Sequence, residues 1–399
     1  MPLQMAGSQQ LQNLKLLILN CLPPPTPRRL TVPEGSKIKM MKTTGNIFLA
    51  IAVLLCFSCT KTDRVFDQEH QEIALEPIGV PALKAEGDPV PYSDAGVFGL
   101  YAYYSTCEGE VAWDDLDAWP ASSLYIDNAA FAKNDGAWAG YDPVTPGHKP
   151  YYWPLDGSLM FVGYSPHISQ NGETGVTSVS LNKNADDVLH GVNPYLQIAF
   201  SQNATVAEMV DLLWFDAKDV NLGKTLSKTA DAVPVLFKHA LSKVSLKFID
   251  SENYYQIKSL SMKGCVNSGT FYSGKTAGWL PVITALADYA PVIESTIEDG
   301  KTKYPTLNNW TSPDMLIIPQ YLDGVFPTLG TGTQDSGVDV VLEFVVTDGF
   351  GEQKIEILMK EYTDRWEQGK HYQYNVTVNA DPIDFGAPSV IITTQTVSM

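Results

Sequence analysis

The chain has 399 residues, with 27 Lys and Arg against 45 Asp and Glu, and a formal net charge of −18. So negative a balance is repelled by phosphate backbones, which excludes nucleic acid as a natural partner, and by anionic membranes unless a covalent anchor is present. Hydrophobic residues at 44% exclude bulk disorder, and 30 Gly, 26 Pro, 8 Trp, 19 Tyr and 15 Phe favour short strands and turns over helical bundles.

Residues 41–59 read MKTTGNIFLAIAVLLCFSC. Lys42 supplies a short basic region, and Ile47 to Phe57 is an unbroken apolar run of 11 residues. That run is too short to span a bilayer but fits a signal peptide. It ends at Leu55-Cys56-Phe57-Ser58-Cys59, which resembles the lipobox of bacterial lipoproteins. The resemblance implies that Cys59 is acylated (palmitate among its chains) and becomes the first mature residue, anchored at the outer membrane. A plain secretory signal cut elsewhere is the alternative. Several acyl chains at about 0.8 kcal/mol per buried methylene hold stably, where one is marginal. Residues 1–58 are thus expected to be an upstream extension plus signal peptide, and residues 59–71 a lipid tether. Residues 1–40 are expected to be an over-extended start, with Met40 or Met41 as initiator. Removing residues 1–58 takes away six basic residues and one acidic, leaving 21 against 44 and a net charge of −23. Cys107 and Cys265 are then the remaining cysteines, expected as free buried thiols, with a single bridge as the alternative.

Beyond the tether, short alternating or aromatic runs predict strands at Val97–Tyr104, Leu124–Ile126, Tyr151–Trp153, Leu159–Tyr164, Leu196–Phe200 and Val235–Phe237. Val244–Phe248, Val338–Val346, Ile355–Leu358 and Tyr372–Val378 follow. Turn signals separate them, as at Tyr141-Asp142-Pro143 and Pro154-Leu155-Asp156-Gly157. Ala204–Phe215 reads as helix or strand, and Asp231–Lys243 as holding a turn. The pattern predicts an all-β fold of sandwich type. The polar stretch Gly223–Asp231 is the best linker, which divides the mature chain into residues 72–229 and 230–399.

Three further motifs appear in order. They are Tyr151-Tyr152-Trp153-Pro154-Leu155-Asp156-Gly157 leading into Leu159–Pro166, Phe237-Lys238-His239-Ala240-Leu241-Ser242-Lys243-Val244, and Trp366-Glu367-Gln368-Gly369-Lys370-His371-Tyr372-Gln373-Tyr374. With the lipobox, they resemble the fimbrillin-like (Mfa-like) family, subunits of type V pili of anaerobic Gram-negative bacteria. The resemblance runs from Cys59 to about Ile392. It implies two transthyretin-like β-sandwich (Greek-key) domains in tandem, export as an outer membrane lipoprotein, and incorporation into a fimbrium that supports adhesion. It also implies donor-strand exchange: a trypsin-like protease removes the first strand, and a neighbour's C-terminal segment fills the groove. In such strand addition, backbone hydrogen bonds supply affinity and alternate side chains supply register.

The sequence offers parts for this. Glu72–Val80 is a candidate removable strand, with Ile73, Leu75, Ile78 and Val80 expected to be buried and Pro77 marking an edge or bulge. Lys84 follows in a Pro/Gly-rich loop and is a candidate cleavage site. Arg64 is the other, but a cut there would remove the lipid and leave the strand. If Glu72–Val80 stays in place, a cap or tip subunit is the reading. At the far end, residues 388–399 form the candidate donor, with Val390, Ile391, Ile392, Thr394 and Thr396 as its β-branched residues. An ordinary last strand folded back on its own sheet is the alternative.

Catalytic patterns are missing. There is no GxxxxGK[ST], strand-linked GxGxxG, GxSxG or HExxH. His239 is expected to be a satisfied core or boundary residue. Asp114-Asp115-Leu116-Asp117 and Asn182–Asp187 lack EF-hand spacing and read as solvated loops. No enzyme activity, cofactor or metal is expected. Expected partners are other pilin subunits, the outer membrane through lipid, and a host or bacterial surface ligand. Trp113, Trp119, Trp138, Tyr141, Tyr151, Tyr152 and Trp153 support a second reading, a monomeric surface lipoprotein that stacks glycan on aromatic rings; core packing is the plainer account.

Overall fold

The computed structural model describes residues 71–79, 92–105, 124–169, 175–182, 195–216, 226–227, 231–250, 255–273, 277–327, 333–349, 351–378, 383–385 and 389–392. In chain order the strands that build the main sheets are β1 (Leu75–Gly79), β2 (Val97–Ser105), β3 (Leu124–Asn134), β4 (Ala137–Asp142), β5 (Ser158–Ser165), β6 (Val176–Asn182) and β7 (Tyr195–Ser201). Then come β8 (Leu213–Asp216), β9 (Val233–Leu236), β10 (Lys238–His239), β11 (Ser242–Ile249), β12 (Gln256–Val266), β13 (Ser268–Tyr272) and β14 (Gly278–Pro281). The last are β15 (Leu286–Tyr289), β16 (Met315–Ile317), β17 (Val341–Thr347), β18 (Glu352–Leu358), β19 (Lys370–Val378), β20 (Ile383–Phe385) and β21 (Ser389–Ile392). Among the described residues there is no α-helix, so the fold is all-β as the composition predicts.

The first sheet runs β9–β1–β4–β3–β2–β5–β8–β10. β9 and β10 are separated only by Phe237, so the sheet begins and ends on one continuous stretch of chain. Alternation gives it two apolar faces. Phe98, Leu100 and Ala102 of β2 face one core with Leu159, Phe161, Phe215 and Phe237. Tyr101 and Tyr103 face another with Met160, Val162, Trp214, Ile198, Phe200 and Phe271. Two glycines allow this packing: a Cβ at Gly99 would lie 2.2 Å from the Tyr164 ring, and one at Gly163 would lie 2.3 Å from Phe215.

A second sheet, β14–β13–β7–β6, covers the outer face of the first. The other two sheets, β16–β11–β19–β20 with β21 also on β19, and β15–β12–β17–β18, enclose a third core. Val244, Leu246, Phe248, Tyr374 and Val376 meet Leu260, Met262, Leu342, Phe344 and Val346 there. Cys265 is a buried free thiol whose pKa is raised by burial; Cys107 lies outside the described residues.

The boundary expected at 229/230 does not separate the sheets. β7 pairs with β13 across it, from Ser201↔Ser268 to Gln197↔Tyr272, and β9 lies beyond it yet belongs to the first sheet. Within the expected linker, Leu226 and Ser227 pair with Leu159 and Ser158. The reason is that strand pairing is non-local, so a polar stretch between strands does not have to divide sheets. Gln202 fastens this joint: its amide donates to Val210 O at 2.9 Å and Leu316 O at 2.8 Å, and its carbonyl accepts from Asn203 N and Val210 N. From Ile73 onward the described residues form one compact unit.

Smaller differences have local causes. Tyr151–Trp153 is not a strand, because Trp153 turns into the core just before Pro154. Ala204–Phe215 divides into a 3-10 turn at Val206–Glu208 and β8. Asp231–Lys243 is mostly strand. The Val338–Val346 run becomes extended only from Val341.

Candidate strand-exchange site

β1 lies between β9, to which it is parallel, and β4, to which it is antiparallel. Its ladder to β9 covers Leu75↔Val233, Glu76↔Pro234, Pro77↔Val235 and Gly79↔Leu236, with a register shift between Pro77 and Gly79. Its ladder to β4 is the single pair Leu75↔Trp138. Backbone alternation explains the thin side. Ile73 N–H points away from β9 and donates to Tyr151 O at 2.7 Å. Pro77 has the same parity, so the donor it lacks is one that would have faced β4. On the other side, Val233 N–H donates to Ala74 O at 2.9 Å and Phe237 N–H to Gly79 O at 3.3 Å. Pro234 is out of phase with these donors, so its missing N–H falls on the outer edge of β9 and leaves the pairing with β1 intact.

The side chains of this segment do more than its ladder. Ile73 and Leu75 are 0% and 1% exposed. They enter a socket that includes Tyr92, Phe98, Trp138, Phe215, Val235 and Phe237. The rings interlock: Tyr92 stacks on Phe237 at 4.7 Å between centroids and meets Trp138 edge-on at 5.1 Å. Tyr92 is fixed by a 2.7 Å hydrogen bond with Ser165 Oγ, and burial pushes its hydroxyl up to about 12. Burying one aliphatic side chain contributes about 1.5–3 kcal/mol. Ile73 and Leu75 therefore hold the segment chiefly by apolar contact.

Ile78 departs from expectation: it is 49% exposed. With Ile73 and Leu75 inward, period-two alternation turns residue 78 outward. Val80, Lys84, Arg64 and Cys59 lie outside the described residues. At the other end, β20 and β21 both lie on the edge of β19 away from β11, with Val376↔Phe385 and Tyr372↔Val390 in register. Val390, Ile391 and Ile392 are therefore backbone-paired to this chain's own sheet, while Thr394 and Thr396 lie outside the described residues.

Of the aromatic residues singled out for glycan stacking, Trp138 and Trp153 are buried in the first core. Tyr152 is exposed and its carbonyl accepts from Tyr125 Oη at 2.8 Å. Trp113 and Trp119 lie outside the described residues, as do both candidate calcium loops except Asn182. Among the described residues no cluster of three or more His, Cys, Asp and Glu is placed to hold a metal.

The sequence profile of the fimbrillin-like family matches residues 85–398. The chain belongs to the fimbrillin-like family. Among solved structures it is similar to a fimbrial protein from Bacteroides vulgatus ATCC 8482, at 14% identity over 80% of this chain and 98% of that one, with a TM-score of 0.46. It is also similar to the C-terminally truncated tip fimbrial protein Mfa3 from Porphyromonas gingivalis, at 8% identity over 80% and 98%, with a TM-score of 0.35. No curated protein matches the chain.

In this fimbrillin-like chain two of the motifs meet. Phe237 fills the first core, Ala240 and Leu241 the second, and Val244 the third. Between them, Lys238 lies 4.4 Å from the Trp214 ring centroid, and His239 Nδ1 is 2.6 Å from Asp211 Oδ2. His239 is thus a buried boundary residue at 8% exposure. The late motif grips this thread. Gly369 N–H donates to Leu241 O at 2.9 Å, Ser242 Oγ donates to Glu367 O at 2.8 Å, and Ser245 Oγ is 2.8 Å from His371 Nε2. Trp366 Nε1 donates to Tyr374 Oη at 2.9 Å. Sequence reasoning found both motifs but not that they touch, because 125 positions separate Ser242 from Glu367.

Proposed function

We propose that the chain is a subunit of a cell-surface fimbria, lipidated at Cys59, that polymerises by donor-strand exchange. In this reading β1 is the strand that leaves, after a cut at Lys84, and residues 388–399 of another copy, detached from the edge of that copy's own β19, replace it. Membership of the fimbrillin-like family supports the subunit role. The observation that carries the exchange is the segment from Ile73 through β1: two buried side chains, Ile73 and Leu75, in an aromatic socket, with one registered pair on one flank and a shifted ladder on the other. Such a segment leaves behind an apolar slot with backbone groups available on β9, which is what an incoming strand needs. Where no cut occurs at Lys84, β1 remains and the subunit terminates a filament instead of extending it.

The test is limited trypsin treatment of the full chain in detergent, followed by gels of unboiled samples. Ladders that appear after nicking, and vanish on deleting residues 388–399, are expected. A chain that stays monomeric after a verified cut at Lys84 overturns strand exchange. Incorporation of an alkyne fatty acid, lost in Cys59→Ala, checks the anchor independently.

A further inference from the structure

A second site lies away from the β1 seam, where the edge strand β14 meets the late motif. It is a cleft of about 230 Å³, walled by Trp279, Tyr321 and Phe326 and rimmed by Arg365, Glu367 and Gln368. Its volume is below the roughly 300–1,000 Å³ of sites for drug-sized ligands, so it has room for a single ring.

The walls are held rigidly. Trp279 donates its indole N–H to Ala240 O at 2.6 Å and packs against Phe200 and Phe271. Tyr321 meets Phe326 edge-on at 6.3 Å, with the Arg365 guanidinium 5.7 Å from its ring centroid. Arg365 is fixed in turn by Glu367 Oε1, at 3.0 and 2.6 Å, and by Tyr321 Oη at 3.1 Å. Beside this ordered rim, Gln368 Oε1 is buried without a hydrogen-bond partner. A buried acceptor left unmade costs about 1–3 kcal/mol, and a ligand hydroxyl would relieve it once the Gln368 side chain, which lines the cleft, turns that oxygen into the space.

We propose that this cleft binds one neutral pyranose unit of a surface glycan. A sugar ring offers an apolar C–H face to the aromatic walls and hydroxyls that both donate and accept. Its hydroxyls would donate to Gln368 Oε1 and accept from Arg365. Charge argues for a neutral sugar: Arg365 is already matched by Glu367, and the chain's net charge of −18 repels anions. This binding does not depend on strand exchange.

The test is saturation-transfer NMR on the full chain in detergent with the methyl glycosides of glucose, galactose, mannose and N-acetylglucosamine. At least one is expected to receive saturation. Gln368→Leu should weaken that binding by about threefold to tenfold, the range for one lost neutral hydrogen bond, with an unchanged or raised melting temperature because the unpartnered acceptor goes with the side chain. Tyr321→Ala serves as the second variant, with loss of the same signal expected, should Gln368→Leu fail to fold. No transfer from any of the four at millimolar concentration overturns the proposal. So does unchanged binding in the variants, or occupation of the cleft by a peptide of residues 388–397 in place of the sugars.

Discussion

Two parallel strand pairs occur among the described strands, and they are built to opposite ends. β1 against β9 registers four residue pairs with a shift before Gly79, and a proline sits in each strand. β11 against β19 registers seven pairs without interruption, from Lys243↔His371 to Ile249↔Thr377, and neither strand contains proline. β11 and β19 place alternate residues in the third core, Val244, Leu246 and Phe248 opposite Tyr372, Tyr374 and Val376. β1 and the residues before it contribute Ile73 and Leu75 to the first. One pair is the backbone of a core; the other closes a core that other strands have already built. The same parallel geometry thus appears once as a continuous ladder and once as a short, shifted one, and the difference lies in ladder continuity and in how many side chains are committed.

The comparison is best attacked first where the effect is largest. Phe248→Ala should lower the unfolding free energy by about 3–5 kcal/mol, read from the guanidinium midpoint, because it opens a cavity at the middle of the continuous pair. Leu75→Ala should cost about 2–3 kcal/mol locally. Its signature is faster hydrogen exchange and proteolysis across residues 73–79, with a smaller shift of the global midpoint, since opening β1 caps the loss. A midpoint shift as large as that of Phe248→Ala would mean that β1 is as integral as β11, and the contrast would fail.

A pH difference offers a subtler handle on the first sheet. His167 is buried, and burial lowers its pKa from the ordinary 6.5. Its Nδ1 accepts from Ser169 N at 3.1 Å, which fits the neutral ring. The unfolded chain therefore binds the proton more readily than the folded one, so this stability is present above about pH 6.5 and is lost as pH falls below it. Urea midpoints at pH 7.5 and 5.5 should diverge more in the native chain than in His167→Asn. The smallest effect is expected at Ile78: Ile78→Ser should change stability by less than about 0.5 kcal/mol. A large loss there would show that β1 is shifted by one residue from the register described.

Much of this was legible beforehand, where a single face is buried. Val244–Phe248 and Tyr372–Val378 announce themselves because their inward residues alternate over several turns of the pleat. β9 is harder to read as a sheet partner: it is four residues long and contains Pro234, and its partner β1 lies more than 150 positions earlier. The sequence pattern placed a strand at Glu72–Val80 but mis-phased Ile78, since the inward parity is set by the socket around Leu75 and not by the strand's own composition. Trp138 and Trp153 could be read as either surface platform or core; the structure decides it by setting Trp138 opposite Leu75 and against Tyr92, and Trp153 edge-on to Phe161. The cleft beside Trp279 has no local signal at all, because its lining comes from three separate segments, around Trp279, Tyr321 and Arg365.

The stretch from Val233 to Val244 also fixes how tension would travel. It pairs with β1 at its start, passes Phe237 into the first core and enters the third core at Val244, all without leaving the main chain. A pull on whatever strand occupies the slot beside β9 acts along the ladder, so its hydrogen bonds resist in shear together. The load then passes to the continuous pair through covalent bonds, with Gly369 and Ser242 bracing the thread where it crosses.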